Sequence, residues 1–170
     1  MESEYKQIGK IALKDKVYIS DPCYQIMTWC QAYLSDVLPG EYACFIKMFE
    51  ERVAELLVVH KDFLGIHHNE AEEVPFCIDY VFSLGVDSGQ MGIFDADYYE
   101  ENQPNDDFNN TSSWYRRVCD TTCEQDAGVL DNLGVVSSSG YGDGSYPLYI
   151  SEEDDKIVAM KVVFIDEEDF

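Results

Sequence analysis

The chain has 170 residues, 34 acidic and 11 basic side chains, and a formal net charge of -23. A folded domain this anionic repels nucleic acid and anionic membranes, so the partner its field favours is a basic protein surface. Apolar residues at 46% and aromatic residues at 14% exclude the disordered class, and the length fits one globular domain over residues 1–170 with one core. The charge is segregated along the chain. From Asp62 to Tyr115 there are twelve acids and no Lys or Arg, and from Val118 to Asp155 there are nine acids and no base. The chain closes on an acidic tail, Asp166, Glu167, Glu168 and Asp169, while Lys6, Lys10, Lys14 and Lys16 crowd the first strands. No apolar run reaches the ~18 residues of a membrane span and the start MESEYKQIGK has no apolar secretory core, which predicts a cytoplasmic address.

Ile8 to Leu13 and Lys16 to Ser20 are predicted as two strands joined in a hairpin by a tight Lys14-Asp15 turn. Asp21-Pro22 then ends the sheet, and Ile26, Trp29, Cys30, Tyr33 and Leu34 at helical spacing predict a helix to Asp36 with Asp21 as N-cap. Pro39-Gly40 turns the chain into a central strand, Glu41 to Phe49, apolar on both faces, and Val53 to His60 follows as its hairpin partner. His67 to Glu73 is a polar acidic loop. Alternation of Phe76, Ile78, Tyr80 and Phe82 with Cys77, Asp79, Val81 and Ser83 predicts a strand, and a glycine-rich turn leads to another at Met91 to Phe94.

Ala96 to Ser112 has no periodic apolar face and is predicted as a long acidic loop, the segment best suited to function. A helix capped by Ser112 or Ser113 runs to Gln125 and carries Trp114, Val118 and Cys119 toward the core. Gly128 to Ser138 is a strand, and Tyr146 to Ile150 pairs with Ile157 to Ile165 across the charged turn SEEDDK. The fold class is therefore mainly β (α+β), an antiparallel β-sandwich or a curled sheet with two short helices.

Six cysteines in a chain with no export signal are expected to be reduced. Cys119 and Cys123, with His60, His67 and His68, are zinc-ligand types, but no CxxC occurs and the spacing is not that of a zinc knuckle. The segment beginning at Asp95 and Asp97 lacks the central Gly and twelfth-position Glu of a calcium loop. GYGDG lacks the GK[ST] of a phosphate loop, and SSSG is not a nucleophile elbow. No cofactor and no metal is expected.

Four motifs stand in order: SDPCY at Ser20 to Tyr24, VLPGEY at Val37 to Tyr42, VDSG at Val86 to Gly89, and GYGDGSYPLY at Gly140 to Tyr149. Together they resemble the domain-of-unknown-function family numbered 4241, over about Ser20 to Phe164. The chain departs from that pattern at Ser20, where the family has Gly, and in the acidic insert around Tyr98 to Asn110. The resemblance implies a shared fold and no assigned activity. Asp21 and Asp143 adjoin Pro or Gly and Asp87 lies two residues before Gly89, in settings where Asx side chains fix tight turns by bonding nearby N–H groups. Gathered at one end of the β structure with Cys23, Tyr24 and Tyr146, they would instead form a carboxylate cluster for a ligand or cation.

Two functional classes follow. In the first, a non-enzymatic inhibitor uses the acids of residues 62–115 and 120–155 to imitate a polyanion and occupy the nucleic-acid groove of a basic protein, a nuclease or other nucleic-acid-binding effector. Its candidate contacts are Glu70, Glu72, Glu73, Asp95, Asp97, Glu100, Glu101, Asp106 and Asp107, with Tyr98 and Tyr99 as aromatic anchors. In the second, an enzyme or small-ligand binder uses Asp21, Cys23, Asp87 and Asp143.

Overall fold

A computed structural model of the protein describes residues 4–64, 70–102 and 114–169. Its strands are β1 (Tyr5–Leu13), β2 (Val17–Ser20), β3 (Ala32–Leu34), β4 (Gly40–Phe49), β5 (Arg52–His60), β6 (Phe82–Val86), β7 (Gln90–Asp95), β8 (Ala127–Leu130), β9 (Gly134–Ser138), β10 (Gly144–Glu153) and β11 (Lys156–Val163). The helices are α1 (Ala96–Glu101) and α2 (Trp114–Gln125). Six strands in the order β1-β4-β5-β11-β10-β6 form one antiparallel sheet, and five in the order β3-β2-β7-β9-β8 form the second.

Strand alternation sets the layers. Tyr42, Cys44 and Ile46 of β4, Leu56 and Val58 of β5, Ile19 of β2, Ile93 of β7 and Val135 of β9 meet in the core between the sheets. The opposite face of the five-stranded sheet carries Tyr18, Phe94 and Val136, covered by Tyr98, Tyr99, Trp114 and Val118 of the two helices. Opposite faces of β4 and β5 carry Ala43, Phe45, Leu57 and Val59, covered by Ala71 and partly buried Tyr5, Val74 and Phe76. This is why β4 reads apolar on both faces: it is buried on both.

The closing hairpin appears as expected, and a second one replaces an expected single strand. β10 and β11 pair across Asp154 and Asp155, both at positive φ (51° and 66°), the conformation of a two-residue hairpin turn that Asp tolerates. Asp131 and Asn132 do the same (50° and 57°), so residues 128–138 form a β8–β9 hairpin and not one strand.

Other expectations are overturned by tertiary contacts. β1 and β2 are no hairpin: β1 pairs with β4 while β2 pairs with β3 and β7, so the chain crosses between sheets at Lys14–Lys16. No helix forms between Asp21 and Asp36. The carbonyls of Pro22 and Tyr24, which a helix would use internally, accept hydrogen bonds from the Trp114 indole N–H (2.8 Å) and the Tyr99 hydroxyl, and Met27 takes a positive φ of 71°.

The expected strand at residues 76–83 is confined to β6. Cys77 N–H donates to Ile150 (3.1 Å) and Val81 N–H to Leu148 (2.8 Å), so Ile78, Asp79 and Tyr80 span what Tyr149 alone spans on β10 and bulge outward. Within the expected 96–112 loop, α1 occupies the start, because Tyr98 and Tyr99 supply the apolar face that packs on the sheet. Residues 103–113 lie outside the described residues.

Among the described residues, the Ser137 hydroxyl is buried with no hydrogen-bond partner. Leaving such a group unpaired costs more than replacing it with a methyl. Ser137→Ala is therefore expected to raise unfolding free energy by about 1 kcal/mol, read as a higher urea midpoint at unchanged slope; a loss of stability would refute it.

Candidate functional site

Three of the four motifs meet at one end of the sandwich, where the chain passes between sheets. VDSG links β6 of the larger sheet to β7 of the smaller one, and GYGDGSYP links β9 back to β10. Ser139 N–H donates to Gly89 O at 3.0 Å, joining these crossings, and Gly144 lies opposite Val86 in the sheet. SDPCY follows β2 at the same end. The fourth motif is at the other end, where the Tyr42 hydroxyl faces the carbonyls of Leu38 (2.7 Å) and Ile157 (3.1 Å). There His60 Nε2 lies 3.1 Å from Pro39 O, and a Cβ at Gly40, whose φ is 146°, would meet that ring nitrogen at 2.5 Å.

Asp21 is the centre of the first group. Its buried carboxylate accepts four hydrogen bonds: Oδ1 from Cys23 N–H (2.8 Å) and the Ser88 hydroxyl (2.6 Å), Oδ2 from Asp87 N–H (2.8 Å) and Ser88 N–H (2.8 Å). Its backbone oxygen lies near the hydroxyls of Ser20 (2.9 Å) and Tyr99 (3.1 Å). Gln31 Nε2 donates to Ser20 Oγ at 2.9 Å. A carboxylate so engaged has no lone pair left for a substrate or cation; it clamps the crossing turn to the end of β2.

The other members of the expected cluster are close in the chain fold but chemically separate. Asp87 and Asp143 are exposed on neighbouring turns. The Tyr146 hydroxyl faces the carbonyls of Gly142 (2.6 Å) and Ser139 (3.3 Å) and pins the glycine turn. Cys23 and Tyr24 are half-buried. Burial pushes the Cys23 thiol up to about 12; the Asp21 carboxylate adds to the rise and the Ser88 hydrogen bond works against it. Burial likewise raises Tyr24 and Tyr99 above the usual tyrosine range. Among the described residues, no group of three or more His, Cys, Asp and Glu is placed to hold a metal ion.

The expected partner contacts divide between two faces. Glu72 and Glu73 are exposed on a 3-10 turn, Glu70–Glu73, whose Ala71 packs on the outer face of the six-stranded sheet. Asp97, Glu100 and Glu101 are exposed on α1, across the sandwich on the outer face of the other sheet. Asp95 is no surface contact: it is buried, accepts Lys14 N–H at 3.0 Å and lies 3.9 Å from Lys14 Nζ, fixing the β1–β2 crossing. Asp97 pairs with the same Lys14 at 2.7 Å.

Tyr98 and Tyr99 are core residues and not interface anchors, Tyr98 donating to Asp131 Oδ2 at 2.6 Å. Asp106, Asp107, His67 and His68 lie outside the described residues. Trp29, which helical periodicity had turned inward, is instead 89% exposed.

Asp21→Asn keeps the shape but sets an amide donor against four donors. It is expected to cost about 3 kcal/mol of stability, measured by urea unfolding; a change below about 1 kcal/mol would mean the clamp is dispensable. Because burial pushes the Cys23 thiol up to about 12, alkylation at pH 8 is expected to mark exposed Cys123 first and leave Cys23 unmodified. Early labelling of Cys23 would restore a nucleophilic role.

No curated protein and no solved structure gives a significant match to the chain. A family model described as "Protein of unknown function (DUF4241)" matches residues 15–163, which takes in all four motifs, and the chain belongs to that family.

Proposed function

We propose that the protein works by binding and not by catalysis, as an acidic inhibitor that occupies a basic, nucleic-acid-binding surface of a partner protein. The carrying observation is the state of the motif cluster: its buried carboxylate is saturated by four donors and its thiol is pushed up to about 12. General-base and nucleophilic roles both need a group that is free and ionisable near neutral pH. With 34 acids against 11 bases, neutralisation must come largely from outside the chain.

The contact face of this reading is the α1 flank. Glu100 and Glu101 are exposed there, the Tyr18 hydroxyl reaches Glu100 at 3.5 Å, and the Tyr18 ring lies 4.8 Å from that of Tyr33 on edge strand β3. Glu72 and Glu73, on the opposite layer, belong to another surface. The settings that supply a basic nucleic-acid groove are CRISPR and restriction nucleases and toxin nucleases, so the role is that of an anti-CRISPR, anti-restriction or nuclease-immunity protein in the cytoplasm. The same field disfavours direct contact with nucleic acid or an anionic membrane.

Capture from cell extract at low salt, followed by a salt gradient, tests this. A specific basic partner is expected, released as ionic strength rises because surface charge pairs are screened. Glu100→Gln with Glu101→Gln should weaken capture about fivefold, while Glu72→Gln with Glu73→Gln leaves it unchanged. No partner at any ionic strength, or equal loss in both variants, would overturn the proposal.

A further inference from the structure

One side of the molecule exposes large apolar and aromatic side chains that the fold does not use. The edge strands β3 and β6 of the two sheets meet there, tied by Gly85 N–H donating to Cys30 O at 2.9 Å. Trp29 precedes that contact and is 89% exposed. On the β6 side, the bulge before Phe82 turns Ile78 and Tyr80 outward, 96% and 57% exposed. Tyr33 of β3 is also exposed, against Tyr18 and hence beside Glu100. Asp79 and Asp87 are exposed at the two ends of the same β6 segment.

Bulges at sheet edges re-aim side chains, and a fold needing only a protected edge would place a charge or proline there. Aromatic side chains ringed by acids match one chemistry above others. An arginine guanidinium stacks flat on Trp or Tyr and forms paired hydrogen bonds to a carboxylate, whereas a lysine ammonium offers a point charge and keeps its hydration. From the Gly85–Cys30 contact to Tyr80 the edge runs on the order of 15 Å, the reach of about five extended residues.

We propose that this edge, with Trp29 and Tyr80 as stacking platforms and Asp79 and Asp87 as charge partners, docks an arginine-bearing segment of the partner protein. The inference rests on the binding reading above and adds the chemistry that reading leaves open. It also predicts selectivity: a diffuse acidic field distinguishes total charge but not Arg from Lys.

The test uses two extended decapeptides of equal charge and spacing, one with five Arg and one with five Lys, titrated into the intact protein at about 50 mM salt, where exposed charges remain coupled. Trp29 is itself a reporter, since the other tryptophan, Trp114, is buried. The Arg peptide is expected to bind about tenfold more tightly than the Lys peptide, shift the Trp29 emission and shield it from acrylamide. In the Trp29→Ala, Tyr80→Ala double variant, which keeps Asp79 and Asp87, the Arg preference should fall to about twofold. Both residues are surface groups, and an unchanged circular dichroism spectrum confirms the fold. Equal binding of both peptides to the wild-type protein, or a preference undiminished in the double variant, overturns the arginine-docking proposal and leaves the acidic-binding reading standing. Failure of both peptides to bind at low salt overturns both.

Discussion

The fold depends on how Asp21 is neutralised. A carboxylate taken out of water loses several kcal/mol of hydration unless the protein replaces it, and here three backbone N–H groups and one hydroxyl do so. Those donors come from two separate segments, the turn after β2 and the crossing from β6 to β7. One side chain thus fixes the end of a strand in one sheet and the point where the chain leaves the other. Ser139 N–H on Gly89 O extends the same constraint to the β9–β10 crossing. Trp114 and Tyr99, reaching from the helices to the carbonyls of Pro22 and Tyr24, hold the turn from its other side. Motif residues that look like a site by composition are therefore the joints of a two-sheet structure.

Legibility in the sequence followed the range of the interaction. β4, β7 and the β10–β11 hairpin were visible because alternation and an Asp-Asp turn are local signals. Pairing partners were not: the Lys14–Lys16 segment looks like a hairpin turn, and only Asp95, far along the chain, shows that it is a crossing. The expected helix after Asp21 had a true start signal, since Asp21 does accept Cys23 N–H, but distant side chains took the carbonyls it needed. Periodicity likewise could not separate Tyr98 and Tyr99, which are core, from Trp29 and Tyr80, which are surface. Burial was decided by whether a sheet face lay beneath them. At the motif end the sequence offered both outcomes for the three aspartates, and turn fixing accounts for Asp21.

Layering also decides what the charge can do. Three apolar layers, one between the sheets and one outside each, take up most of the sheet faces. The acidic run from residue 62 to 115 is continuous in sequence, yet among its described residues Glu72 and Glu73 and the acids of α1 lie over opposite outer faces of the sandwich. A stripe that joins those two described groups on one face is incompatible with the fold. The flank that includes α1 borders exposed aromatic groups, while the flank at Glu72 and Glu73 covers a closed apolar cluster.

Net charge overstates the field available to a partner, because some of it is consumed inside. Asp21, Glu55 and Asp95 are buried, and Glu55 lies 3.5 Å from buried Lys47, which Glu167 also pairs at 2.6 Å. Burial works against the Lys47 charge, but these carboxylates outweigh it and hold the ammonium above the usual lysine range. Internal pairs of this kind use up bases, and the chain has few. The acids that remain outside repel one another in the compact state. A cationic partner relieves that repulsion only when the protein is folded and the acids are held together, so association and stability are linked through the same charges.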